Sequence, residues 1–160
     1  MFERFGKDVR RAVVRAAEHE AQELGSPTVE AEHLLLALAA GGGPAARVLS
    51  ASGLDHDGLR EALEQETERS LAAVGVDASM YWLGEVSARP PRSTRFGASA
   101  KRALERAGKV AVARRDGHIS AAHLLVGILR ADLGTVPRAL VAAEKDRDVL
   151  LARAEGLLAW

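Results

Sequence analysis

The chain has 160 residues, 48% of them apolar, and its 22 acidic and 22 basic side chains leave no formal net charge. That is enough chain for one packed core, too apolar for a disordered one, and without a global field to draw it to nucleic acid or an anionic membrane, neither of which is expected as a partner. The lack of cysteine excludes disulfides, thiolate metal sites and a cysteine nucleophile. No apolar run approaches the ~20 residues that span a bilayer, and Met1-Phe2-Glu3-Arg4-Phe5 carries no signal-peptide core, so a cytoplasmic location is expected.

Residues 8–24 place Val9, Val13, Ala16, Ala17 and Leu24 at helical spacing with Arg and Glu on the other face. Gly25-Ser26-Pro27-Thr28 is a stop and a turn. Thr28 is the expected cap of a second helix that holds Glu30 and Glu32 at its positive end and Leu34 to Leu38 in its body. Gly41-Gly42-Gly43-Pro44 ends it. A short third helix runs from Ala45 to Ala51, and Asp55 or Asp57 caps a fourth that reaches about Ala73 with Leu59, Leu63 and Leu71 inward. A different stretch follows at residues 75–95, with an apolar cluster, Met80-Tyr81-Trp82-Leu83, and a stiff Ala88-Arg89-Pro90-Pro91-Arg92 connector. Then the plan repeats. Ser99 to Arg115 is a helix, Ser120 caps one running to Ala131, Gly134 and Pro137 open a short one, and Asp146 caps a last one ending near Leu158. No stretch alternates apolar and polar residues with β-branched enrichment, so no sheet is expected.

The recurrence is visible in the letters as well as in the plan. Arg4-Phe5-Gly6 returns as Arg95-Phe96-Gly97, and Glu32-His33-Leu34-Leu35-Leu36-Ala37-Leu38 returns as Ala122-His123-Leu124-Leu125-Val126-Gly127-Ile128. Such a repeat marks a duplicated unit whose halves pack together and offer two related surfaces. Charge is divided unevenly between them. Residues 1–74 carry 13 acids against 8 Lys and Arg, and residues 75–160 carry 9 against 14.

The opening Met-Phe-Glu-Arg-Phe, the Glu-His-Leu-Leu-Leu-Ala-Leu segment and their echo resemble the N-terminal domain of the Clp (Hsp100) unfoldases, specifically the ClpC type. The resemblance implies one all-α domain of two pseudo-twofold-related four-helix repeats, residues 1–74 and 96–160, joined by an extended linker at 75–95. It implies a recognition role, receiving substrates and adaptors of the Clp unfoldase and protease, with no cofactor and no catalysis. No Gly-x-x-x-x-Gly-Lys-Ser/Thr phosphate loop occurs, and no Gly-x-Ser-x-Gly or His-Glu-x-x-His motif does either. The chain therefore reads as a recognition domain without its motor. Its ending at Leu157-Leu158-Ala159-Trp160, without a linker-like tail, fits a stand-alone domain.

The same resemblance nominates sites. In relatives that read phosphoarginine, the Glu of the Glu-His motif contacts the guanidinium, a pairing that charge-assisted hydrogen bonding favours. Here Glu32 is kept, Ala122 replaces its counterpart, and Gly6 and Gly97 stand where a Thr is usual. At most one such site is expected, and Glu32 serves equally as a charge at a helix N-terminus. Phe2, Phe96, Lys101 and Glu105 match an inter-repeat surface that binds cyclic-peptide antibiotics of the cyclomarin type, which suggests a regulator or decoy. The alternative is two ordinary core Phe residues and a surface ion pair. Met80, Tyr81, Trp82 and Leu83 are either a cover over a groove or a gate and partner contact, the latter in keeping with a structural role in a larger Clp assembly. His33 and His123 have too few neighbouring ligands for a metal and are expected to be buried imidazoles that donate to backbone. Glu18-His19-Glu20 reads as a surface run.

Overall fold

Two helices whose bodies are apolar on every side have nowhere to go but the centre of the protein. In the computed structural model, which describes residues 5–11, 15–77 and 95–159, these are α3 (Ala31–Ala40) and α7 (Ala121–Leu129). Leu34 to Leu38 of the first and His123 to Leu129 of the second are all buried. The two helices touch each other, and the remaining helices clad them. In the first repeat these are α1 (Lys7–Arg11), α2 (Ala17–Glu23), α4 (Pro44–Ala51) and α5 (His56–Ala73). In the second they are α6 (Ala98–Arg114), α8 (Thr135–Ala142) and α9 (Arg147–Gly156). The architecture is all-α, two four-helix repeats related by a pseudo-twofold when α1 and α2 are taken together as the counterpart of α6, with α5 of the first repeat laid against α8 of the second and α9 against α4.

The expected helix over 8–24 is seen as α1 and α2, with residues 12–14, Val13 among them, outside the described set. Leu24 is not inward: it caps α2 and is exposed. Asp55, not Asp57, caps α5, accepting from Gly58 N at 2.9 Å, and Asp146 caps α9 through Asp148 N at 2.9 Å.

Among the described residues there is no strand, but two single parallel bridges join the repeats reciprocally. Phe5 pairs with Ile119, where Gly6 N donates to Ile119 O at 3.0 Å. Phe96 pairs with Val29, where Val29 N donates to Arg95 O and Gly97 N to Val29 O, both at 2.8 Å. Each Phe-Gly pair is thereby clipped to the chain just before the other repeat's central helix. Sequence positions far apart in the chain are brought to one seam.

Alignment of the repeats also exposes a local cost. Gly53, after α4, has a left-handed φ of 75°, and Glu144, at the matching place after α8, has a φ of 57°. A side chain in that region is crowded by the following carbonyl, whereas glycine is not. Glu144→Gly is expected to raise stability by about 1 kcal/mol, read as a Tm about 2–4 °C higher. An unchanged or lower Tm would mean that the Glu144 side chain makes a compensating interaction.

Candidate functional site

The two central helices begin with the same device. His33 and His123 each occupy the third helical position and turn Nδ1 back to the cap residue, accepting from Glu30 N at 2.8 Å and from Ser120 N at 3.0 Å. Both imidazoles are buried, as expected, but they accept from backbone rather than donate to it. The ring takes the part that Glu or Gln plays in a capping box. His123 Nε2 then lies 2.8 Å from Asp116 Oδ2, and that hydrogen bond holds the Asp116 carboxyl below its ordinary range. Burial pushes His33 down to about 4, with Glu30 opposing.

The caps themselves differ. Ser120 caps α7 through its hydroxyl. In the first repeat the cap is Glu30, not Thr28, whose hydroxyl instead donates to Glu30 Oε1 at 2.8 Å. The longer Glu30 side chain also crosses to the second repeat, where Ser99 donates to Oε2 from its hydroxyl and, at 3.3 Å, from its backbone N–H. Ser99 is in the first turn of α6, whose own cap, Gly97, has no side chain to offer. A Cβ on residue 97 would sit 1.6 Å from Glu30 Oε1. The glycine in place of threonine and the Glu30 carboxylate therefore occupy one space.

Beside this junction lies a cleft of about 250 Å³ between the repeats, with Glu32 on one side, Arg102 and Arg106 of α6 on another, and Leu133 of the α7–α8 turn and Pro137 of α8 as an apolar wall. Glu32 makes no ion pair with a described residue. Burial raises its pKa; its own backbone N–H and Arg138 oppose the rise, while Glu30 and Glu66 add to it. Arg106 is held by a 2.7 Å bond from Nε to Gly127 O. Arg102 is exposed and has no hydrogen bond or ion pair with another described residue. Leu133 is 90% exposed. Next to the cleft, Arg138 of α8 pairs with Glu66 of α5 at 2.9 Å, and Ser70 donates to the same Glu66 oxygen at 2.6 Å, tying the repeats together at the cleft's end.

Of the residues singled out from the sequence, Glu32 lies in this cleft. Phe96 is half-buried, packed on the core beside its bridge to Val29. Lys101 and Glu105 are exposed on α6, one turn apart. Phe2 and Met80 to Leu83 lie outside the described residues. Glu18-His19-Glu20 is not a surface run: Glu18 and Glu20 are buried, and Glu20 Oε1 meets His56 Nε2 of α5 at 2.6 Å. That partner, thirty-six residues away, is what draws the carboxylate inward. Arg102 and Arg106 were missed, although they are the i, i+4 pair one step round the helix from Lys101 and Glu105. Glu30 was missed as a cross-repeat group because nothing local announces a contact with Ser99.

The profile of the Clp repeat (R) N-terminal domain family matches residues 4–143. The chain belongs to this family. Over 141 residues this Clp-N domain is 32% identical to "Chaperone protein ClpC, chloroplastic" of Pisum sativum, covering 88% of this chain and 13% of that protein. It is 33% identical over 149 residues to "Chaperone protein ClpC1, chloroplastic" of Oryza sativa subsp. japonica, covering 91% of this chain and 14% of that one. The chain thus spans a small part of the length of these relatives. The N-terminal domain of the chaperone ClpD from Arabidopsis thaliana superposes with a TM-score of 0.71 at 27% identity, with 99% of both chains covered. The Hsp104 N-terminal domain from Candida albicans has the same fold, with a TM-score of 0.63 at 16% identity over 98% of this chain and 93% of that one.

Proposed function

We propose that this Clp-N domain is a non-enzymatic reader of peptide segments belonging to substrates, adaptors or components of the Clp unfoldase and protease. The ligand's cationic side chain would rest on Glu32 in the inter-repeat cleft. The observation that carries the reading is Glu32 itself, a half-buried carboxylate that makes no ion pair with a described residue and lines an open cleft. Burying such a group unpaired costs free energy, and a guanidinium or ammonium from a ligand would remove that cost by a charge-assisted, geometrically matched pair. Leu133 and Pro137 suit the aliphatic stem of such a side chain. Arg102 suits a carbonyl or carboxylate on the adjoining backbone. Binding of such segments also suits a regulator or decoy that competes with an unfoldase's own N-terminal domain.

In isothermal titration with an arginine-containing peptide, Glu32→Gln is expected to weaken binding at least tenfold, about 1.4 kcal/mol, and to raise the stability of the free domain slightly. Unchanged affinity in that variant would end the reading.

A second reading places a cyclomarin-type cyclic peptide on the Phe96, Lys101 and Glu105 surface. The exposed Lys101 and Glu105 on one face of α6, with Phe96 at its start, favour it. Titration with such a peptide, and loss of its binding in Lys101→Ala, would support it.

A further inference from the structure

We infer that the Glu32 cleft takes an unmodified cationic side chain and discriminates against a phosphorylated one, because Glu30 fills the seat that an anionic group would need. This rests on the peptide-reading proposal and specifies its ligand. Two helix N-termini converge at the junction beside Glu32. One belongs to α3, and its cap is Glu30. The other belongs to α6, a 17-residue helix capped by a glycine that contributes no side chain. Unpaired N–H groups and the positive end of the helix dipole make such a place suited to an anion.

Here the anion is built in. The Glu30 carboxylate accepts from the Thr28 hydroxyl at 2.8 Å, and from the Ser99 backbone N–H at 3.3 Å and its hydroxyl. The Ser99 hydroxyl is further committed by accepting from Ala31 N at 2.9 Å. Gly97 is the residue that makes room: a Cβ there would fall on Glu30 Oε1. A ligand phosphate would have to displace a carboxylate tethered to the chain, present at high effective concentration. It would also enter a neighbourhood where Glu30 and Glu66 both lie close enough to Glu32 to act on its charge. A bare guanidinium or ammonium meets the opposite situation at these acids, although Arg102, Arg106 and Arg138 offset part of that gain. Gly97, by leaving room for Glu30, thereby contributes to the specificity of the cleft.

The test is titration of the whole domain with three peptides identical except for one central residue: arginine, phosphoarginine or norleucine. Wild-type protein is expected to bind the arginine peptide at least tenfold more tightly than the phosphoarginine one, with norleucine weakest. Glu30→Gly, which empties the seat, should narrow or invert the arginine-to-phosphoarginine ratio at least fivefold. Glu30→Gln, which keeps the cap's shape and removes its charge, should move it the same way by less and covers the case in which the glycine variant fails to fold. Equal or tighter binding of phosphoarginine by wild-type protein overturns the inference and leaves the peptide-reading proposal standing. A ratio unmoved by the Glu30 variants does the same. No binding of any of the three peptides overturns both.

Discussion

Gly127→Ala is expected to destabilise the domain by about 3 kcal/mol, while Gly108→Ala in the neighbouring helix is expected to stabilise it by about 0.5–1 kcal/mol. Helices α6 and α7 cross at Gly127 with their backbones close together. Arg106 Nε reaches Gly127 O at 2.7 Å, and a Cβ on residue 127 would lie 2.4 Å from Ala103 O and 2.9 Å from Ala107 N. Both obstacles are backbone of a buried helix, so relief requires the helices to separate and the surrounding close-packed core to open. Gly108 is also inside α6, but a Cβ there meets only Ile119 Cδ1 at 3.8 Å, an ordinary contact. The methyl then costs nothing, and the helix gains the usual advantage of alanine over glycine. Chemical denaturation of the two variants, each with an unchanged slope, measures the opposite signs. Equal effects of the same sign would show that helix propensity, not helix approach, governs both positions.

Stability is expected to fall by roughly 3 kcal/mol as the pH drops from about 6.5 towards 4, owing largely to His33. In the unfolded chain its imidazole takes up a proton near its ordinary value of 6.5; in the folded protein burial delays this to about 4, with Glu30 working against the delay. Between those values the unfolded state binds more protons than the folded state, so stability rises with pH across that window. The full contribution is present above about 6.5 and is lost progressively on acidification. The structural reason is that Nδ1 must be unprotonated to accept from Glu30 N. Glutamine at this helix position can accept the same N–H, so His33→Gln should retain most of the stability at pH 7 and flatten the profile between pH 4 and 6.5. A profile as steep as that of the wild-type protein would assign the acid sensitivity to other groups. His123 faces a different setting, with Asp116 at its second nitrogen.

Much of the fold was legible before any coordinates. The all-apolar runs at Leu34–Leu38 and Leu124–Leu129 have no polar face and must be central. Helix ends at Asp55, Ser120, Gly134 and Asp146 follow local rules, because capping depends on residues within one turn. Glu32 was likewise legible as a candidate, since its motif is contiguous. The errors have a common cause. Thr28 is an ordinary cap by its letter, but Glu30 displaces it because a longer carboxylate also satisfies Ser99, sixty-nine residues away. Glu20 reads as a surface charge, but His56 holds it inside. In each case a partner remote in sequence outbids the local preference.

The sequence by itself determined that this protein is a duplicated all-α domain of the Clp-N kind and that one Glu-His motif survives while its echo has lost the carboxylate. Periodicity, caps and repeated letters are short-range properties, written wherever one turn of helix is written. Only the tertiary structure decided that the two Phe-Gly pairs clip onto opposite repeats, that Arg102 and Arg106 line one cleft with Glu32, and that Glu30 stands in the space left open by Gly97. Those relations join residues tens of positions apart, and they arise because packing two central helices brings the N-termini of α3 and α6 to one seam, where charge and volume have to be shared.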